Sequence, residues 1–159
     1  MVSGDHPARH GAIHLIDTFL FVPDKSLYEI IQSDQRLNSF RRAMYLTNAT
    51  GTLLGTDRVT VFAPNDAAFS TLPAGMLNRL LLKPEGMEEL IMHHIYKGVI
   101  YTGMLKESQY GVMPMRGSML RVTKEQPDEI KINYDSSIVV RNIKGTNGVL
   151  HIIDKVLLP

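Results

Sequence analysis

The chain has 159 residues, of which 44% are hydrophobic and 21% charged, with 12 Gly and 8 Pro; these near-average values exclude disordered, collagenous and low-complexity classes. A chain of this length buries about 68–70% of its unfolded surface and folds as a domain without staples. Lys and Arg number 17 against 16 Asp and Glu, which gives no electrostatic reason for a nucleic-acid or anionic-membrane partner, and the absence of Cys removes disulfides, thiolate nucleophiles and Cys-type zinc sites.

Met1 to Pro7 is polar and broken by Gly and Pro, unlike a signal peptide, so the signal of a secreted parent is expected outside this chain. No run approaches the roughly 18 apolar residues of a membrane span. Gly11-Ala12-Ile13-His14-Leu15-Ile16-Asp17-Thr18-Phe19-Leu20 aligns without gaps on Gly148-Val149-Leu150-His151-Ile152-Ile153-Asp154-Lys155-Val156-Leu157. The offset, roughly 137 positions, far exceeds the period of solenoids and is that of a whole domain. The expected organisation is therefore a tandem array: residues 1–23 supply leading residues plus the C-terminal strand of a preceding repeat, and residues 24–159 form one complete unit. His6, His10 and His14 stand at i, i+4 and i+8, but Pro7 and Gly11 interrupt any helix and the repeat makes His14 part of a strand, so no zinc site is expected there.

Within the complete unit, Asp24 or Ser26 can cap a helix carrying Leu27, Ile30 and Ile31 on one face. Leu37, Phe40 and Met44 mark a second helix, which Thr47 to Gly51 should end. Val59 to Phe62 predicts a strand stopped by Pro64, after which Asn65 or Asp66 caps a short helix through Ala67, Ala68 and Phe69. Met76, Leu77, Leu80 and Leu81 form another apolar stripe. Glu85 opens the clearest helix, whose buried face is Met87, Leu90, Ile91, His94 and Ile95, with His93 at the edge of that stripe and expected to be exposed.

After Gly98 the pattern changes to strands at Val99–Tyr101, Met113–Met115, Met119–Val122, Ile130–Ile132, Ile138–Val140 and Val149–Leu158, separated by turns at Gln126-Pro127-Asp128 and Lys144 to Gly148. Helices first and strands afterwards predict an α+β fold. Val149 to Leu158 is apolar on both faces and is expected to be a central strand.

No GxSxG elbow, P-loop, GxGxxG run or HExxH helix is present, so acyl transfer, nucleotide hydrolysis, dinucleotide binding and zinc proteolysis lack local support. Adjacent charges such as Glu88-Glu89, Asp128-Glu129 and Arg41-Arg42 read as solvated faces. Met76, Met87, Met92, Met104, Met113, Met115 and Met119 read first as core filler, with an adaptable binding groove as the alternative. Asn48-Ala49-Thr50 is an N-glycosylation sequon, making Asn48 a glycosylation candidate.

Thr60-Val61-Phe62-Ala63-Pro64-Asn65-Asp66-Ala67-Ala68-Phe69 and Gly148 to Pro159 resemble the first and last signatures of the fasciclin domain family, and His93-His94 falls where that family has its tyrosine–histidine motif. Gly11 to Pro23 resembles the last signature of a preceding fasciclin repeat. The resemblance implies a compact β-wedge or sandwich of about seven short strands with several helices packed against it, mostly from the N-terminal half. It implies a non-enzymatic, extracellular adhesion or matrix module, secreted or held at the cell surface, without a cofactor. Its expected partners are integrin-like receptors, matrix proteins, the same protein on another cell, or glycosaminoglycan. In several members an Asp-Ile pair before the motif is implicated in integrin binding; here Glu89 and Leu90 occupy those positions and His93 replaces the tyrosine, so Glu89, Leu90 and His93 are the partner-binding candidates. Thr60, Asn65, His94 and His151 are the structural candidates, with His94 expected to hydrogen-bond to Thr60 or Asn65. The alternative function is a ligand-binding module for glycosaminoglycan or lipid, using the methionine-rich strands or a patch of Arg116, Arg121 and Lys124.

Overall fold

Ser26 opens the first helix, α1 (Leu27–Ser33), with a capping box: its hydroxyl accepts from the Glu29 N–H while the Glu29 carboxylate accepts from the Ser26 N–H. After a 3-10 turn at Gln35–Leu37 the chain forms α2 (Asn38–Tyr45), whose own flanking residue gives no side-chain cap. The stop expected over Thr47–Gly51 is shorter than the sequence suggests, because α3 (Ala49–Leu54) begins within it and buries the i, i+4 pair Ala49 and Leu53. β3 (Val59–Pro64) leads to Asn65, which caps α4 (Asp66–Ser70) by accepting from the Ala68 N–H. α5 (Met76–Leu82) is followed by α6 (Pro84–His93), which starts at Pro84 in the first helical turn, where a missing N–H costs nothing. The helix ends sooner than its periodicity predicts: His94 is already the C-cap, and Ile95 starts β4 (Ile95–Lys97).

These elements belong to a computed structural model that describes residues 3–15, 22–47, 49–55, 57–105, 109–126 and 129–159. The remaining strands are β5 (Gln109–Val112), β6 (Leu120–Gln126), β7 (Glu129–Ile132), β8 (Ser136–Gly145) and β9 (Gly148–Ile153). They form a seven-stranded sheet of order β4-β3-β9-β8-β7-β6-β5, in which only β3 and β9 run parallel. With the helices gathered between residues 27 and 93, the fold is α+β as expected.

Two expected strands are corrected. Met113–Met115 is not one: Pro114 makes a single bridge to Tyr96, and the Met115 N–H donates to the Ile95 carbonyl at 2.8 Å. Proline has no N–H to extend a ladder, so the contact stays a single bridge, yet it ties the β5 end of the sheet to the β4 end. Val99–Tyr101 is not a strand either, since side chains take the hydrogen bonds that a neighbouring strand would supply.

Alternation along β3 and β9 divides the interior. Val59, Val61 and Ala63 with Leu150 and Ile152 face a core that also contains Leu27, Ile31, Phe40, Leu53, Leu90 and Ile91 from the helices. Phe62 and Ile153 face a second core with Val112, Leu120, Val122, Ile130 and Ile132 from β5, β6 and β7. Both strands are buried along their whole length, as expected for the run from Val149, although β9 ends at Ile153 and not at the expected Leu158; each fully buried Leu or Ile contributes about 1.5–3 kcal/mol. Their close approach depends on Gly148, which has φ +154°; a Cβ there would lie 1.9 Å from the Val59 carbonyl oxygen.

The first described residues form a separate two-stranded sheet, β1 (Ser3–Ala8) with β2 (Gly11–Leu15). Its pairs are Ser3 with Leu15, His6 with Ile13, Pro7 with Ala12 and Ala8 with Gly11. In the β8–β9 hairpin the pairs Val140 with Ile152, Ile143 with Leu150, Lys144 with Val149 and Gly145 with Gly148 reproduce this register position for position, including the irregularity after the first pair. The sequence repeat covers only the second strand of each hairpin, whereas the structural repeat includes the first strand, where Ser3–Ala8 and Val140–Gly145 share no residue type in register.

Candidate functional site

Three buried histidines fasten irregular chain segments to the core. His94, at the C-cap of α6, places Nδ1 2.7 Å from the Leu90 carbonyl, to which Nδ1–H donates, and its Nε2 accepts from the Leu157 N–H at 2.9 Å. Its ring meets Phe40 edge-on at 5.9 Å. Burial pushes its pKa down to about 4, outweighing the raising effect of the Leu90 carbonyl, while His93 lowers it further. The expected partner is corrected: the ring bonds Leu90 and Leu157, and neither Thr60 nor Asn65 meets it. Both are used nearer in the chain or across the sheet, because β4 follows α6 at once and turns His94 toward the C-terminal segment.

His151, on β9, stacks on Phe62 at 5.5 Å, donates from Nε2 to the Ile100 carbonyl at 2.9 Å and accepts at Nδ1 from the Asn142 N–H. Burial lowers its pKa, offset in part by the Ile100 carbonyl. Thr60 donates to the Gly98 carbonyl at 2.7 Å and accepts from the Ile100 N–H at 2.9 Å. Asn142, in the left-handed region at φ 58°, bonds both the N–H and the hydroxyl of Thr102. Thr60, His151 and Asn142 together hold residues 98–102 in place of a neighbouring strand.

His93 requires a correction. It is fully buried, at 0% exposure, because the chain around Arg116 crosses the end of α6; His93 Nδ1–H donates to the Arg116 carbonyl at 3.0 Å. Gly117, at φ +92°, closes over the ring, and a Cβ there would lie 2.2 Å from Nδ1. His93 Nε2 has no hydrogen-bond partner among the described residues, an omission that costs about 1–3 kcal/mol. Periodicity placed His93 at the edge of a stripe; the covering strand connection lies more than twenty positions away and leaves no local signal. Leu90 is likewise fully buried, so of the three partner-binding candidates Glu89 alone is exposed, beside a groove lined by Leu82, Lys83, Glu85 and Gly86.

The basic candidates do not assemble into one patch. Arg121 and Lys124 lie on opposite faces of β6: Arg121 is exposed and sits over the Tyr134 ring at 5.3 Å, whereas Lys124 reaches the Leu105 carbonyl. Arg116 pairs with Glu88 at 3.3 Å on the surface, a bond worth little in stability. The methionines are divided as well, with Met87 in the core and Met104, Met113 and Met119 exposed. Asn48 lies outside the described residues. Among those described, no group of three or more His, Asp or Glu is placed to hold a metal ion.

Two residues matter more than their sequence context indicates. Asp66 caps a helix that begins 28 residues earlier: its carboxylate accepts from the Ser39 N–H at 2.7 Å and from the Asn38 side-chain amide at 3.1 Å, supplying the N-terminal cap that α2 lacks. Asn147 accepts from the Leu27 N–H at 2.9 Å and donates to the Leu53 carbonyl at 2.6 Å, joining α1 and α3 to the β8–β9 turn. The sequence marked these as a cap and a turn residue, which are local roles; no local signal shows the distant partners.

Comparison with known proteins places this geometry. The fasciclin domain model matches residues 35–159. Transforming growth factor-beta-induced protein ig-h3 from Sus scrofa is 30% identical over the whole chain, which covers 23% of that relative, and Homo sapiens periostin is 30% identical over the whole chain, which covers 19%. The chain thus spans about a quarter or less of these relatives. Among solved structures, a FAS1 domain pair from the insect cell adhesion molecule fasciclin I matches with a TM-score of 0.69 at 21% identity, over 98% of this chain and 58% of that one. None of these matches is named as an enzyme. With the wedge of seven strands, its helical layer and both signature segments in place, this chain belongs to the fasciclin domain family.

Proposed function

We propose that the chain is one link of a non-enzymatic, extracellular adhesion or matrix-interaction protein built from tandem fasciclin units, with residues 24–159 forming one unit and residues 1–23 ending the unit before it. The observation that carries this reading is the second hairpin, β1–β2, whose register repeats that of β8–β9 pair by pair. A two-stranded hairpin is marginal in water by itself, so this one makes physical sense as inner strands of a larger sheet, the place β8 and β9 hold in this unit. The alignment of the whole chain within much longer relatives and the likeness to a domain pair of a cell adhesion molecule support the same reading. No helix among the described residues is long and apolar enough to cross a membrane, which fits a unit that works outside the bilayer.

The contact residue in this reading is Glu89, an exposed carboxylate on the rigid face of α6, and the partner is a receptor, a matrix protein or the same protein on another cell. The test is attachment of cells, and aggregation of beads, coated with the intact parent. Glu89→Ala is expected to reduce both at least several-fold while leaving the thermal midpoint unchanged. Full attachment by this variant would remove α6 as the contact surface.

A further inference from the structure

The two outer strands of the seven-stranded sheet are finished differently. Beyond β4 the place is taken, since Pro114 bridges to Tyr96 and the Met115 N–H donates to the Ile95 carbonyl. β5 ends the sheet at the other side, with β6 as its neighbour in the ladder. We propose that the outer edge of β5 is a self-association surface, to which a second copy of this chain adds its own β5 antiparallel about a two-fold axis at Tyr110. The inference does not involve Glu89, and it stands whether or not the chain is one link of a tandem protein.

The ladder decides which backbone groups face outward. The Arg121 N–H donates to the Asn133 side chain at 2.8 Å and the Arg121 carbonyl accepts from the Asn133 N–H at 2.8 Å, so Arg121 turns its backbone groups away from β5. Alternation then turns Leu120 and Val122 toward β5, and their partners Val112 and Tyr110 toward β6. Gln109 and Gly111 are left with N–H and carbonyl pointing out of the sheet. Both residues are exposed. The Gln109 side chain donates to the Tyr134 hydroxyl at 3.1 Å, back over the sheet, and Gly111 has no side chain to screen its backbone; a Cβ there would lie 2.7 Å from the Met119 sulfur. Proteins commonly protect such an edge with Lys, Pro or a bulge. β5 reads Gln109-Tyr110-Gly111-Val112 and pairs with β6 without a shift of register, so it has none of these.

The symmetry of the pattern selects the occupant. Two outward residues separated by one are self-complementary: on a two-fold axis, Gln109 of each copy exchanges both backbone bonds with Gly111 of the other, and Tyr110 stands opposite its own counterpart. No residue of β5 is charged, so the two edges bring no like charges together. A four-residue strand falls short of the roughly 1,200 Å² that a stable interface buries. Each contact is therefore weak and takes effect where many copies are held close together.

Tyr110→Cys tests the proposal in the 159-residue chain, which has no cysteine of its own. Residues opposed in a non-hydrogen-bonded pair have Cα atoms about 4.5 Å apart, within the range of a disulfide. With oxidised glutathione, Tyr110→Cys is expected to form the linked dimer at least tenfold faster than Met104→Cys. Tyr110 is half-buried and Met104 is 66% exposed, so chance collision would give the opposite order. Adding Gln109→Pro removes an outward N–H at the first strand position, where Pro is tolerated, and is expected to slow the linkage at least tenfold with the thermal midpoint unchanged. In the unsubstituted chain, hydrogen exchange of the Gly111 amide is expected to slow as the concentration rises from micromolar to millimolar. Linkage at position 110 no faster than at position 104, linkage insensitive to Gln109→Pro, or Gly111 exchange independent of concentration overturns the β5 pairing and leaves the adhesion reading standing.

Discussion

Lowering the pH from 7 to 4.5 tests the interior at a single ring. His94 is neutral in the folded state, donating from Nδ1 to Leu90 and accepting at Nε2 from Leu157, and burial holds its pKa at about 4. In the unfolded chain the ring titrates near its ordinary value of 6.5. A folded pKa below the unfolded one means that the unfolded state binds the extra proton: the stabilisation is complete above pH 6.5 and is lost as pH falls toward 4. Integrated between pH 7 and 4.5, this one ring removes about 2.5 kcal/mol, a large part of the 5–15 kcal/mol that usually holds a domain together. His151 adds a loss of the same sign, since burial lowers its pKa too. Carboxylates also begin to titrate in this range, so the informative quantity is a difference. Urea unfolding of the native chain and of His94→Gln is compared at pH 7, 6, 5 and 4.5. At pH 7 the native chain is expected to be the more stable, and the gap is expected to shrink by about 2.5 kcal/mol on acidification. Stability curves that fall in parallel would refute the assignment of a depressed pKa to His94.

Two further substitutions test how distant segments are joined. Gly148→Ala introduces a Cβ within 1.9 Å of the Val59 oxygen and at a φ unsuited to L side chains, so it should prevent the parallel β3–β9 pairing; the expected result is loss of soluble, cooperatively folded protein, checked by expression yield and near-ultraviolet circular dichroism. Asp66→Ala removes the borrowed cap of α2 and is expected to cost about 1–2 kcal/mol in chemical denaturation, with Asp66→Asn losing less because one acceptor for the Ser39 N–H remains.

The amino-acid order by itself determined the local features. A capping serine, Pro64 as a boundary, and the i, i+3, i+4 stripe of Met87, Leu90 and Ile91 are short-range signals, and the structure follows them. The doubly apolar run from Val149 likewise identified a central strand, because a strand with two apolar faces has to be covered on both. Where the sequence misled, the cause was a partner far along the chain. Val99 to Tyr101 has the composition of a strand but is held by Thr60, His151 and Asn142, and His93 looks like an edge residue until Arg116 and Gly117 pass over it.

The same division applies to the candidate site. Glu89, Leu90 and His93 are adjacent in a helical alignment, yet burial leaves only the carboxylate at the surface. The repeat shows the division most plainly. Sequence identity revealed one strand, where the fold leaves no room for a Cβ at Gly148 and holds the His151 ring on the Ile100 carbonyl. Its partner strand is specified by backbone hydrogen bonds, which any residue but proline can donate and every residue can accept, so β1 and β8 share a register without sharing a sequence. Side-chain chemistry was therefore legible in the chain, while pairing and burial were decided by the tertiary fold.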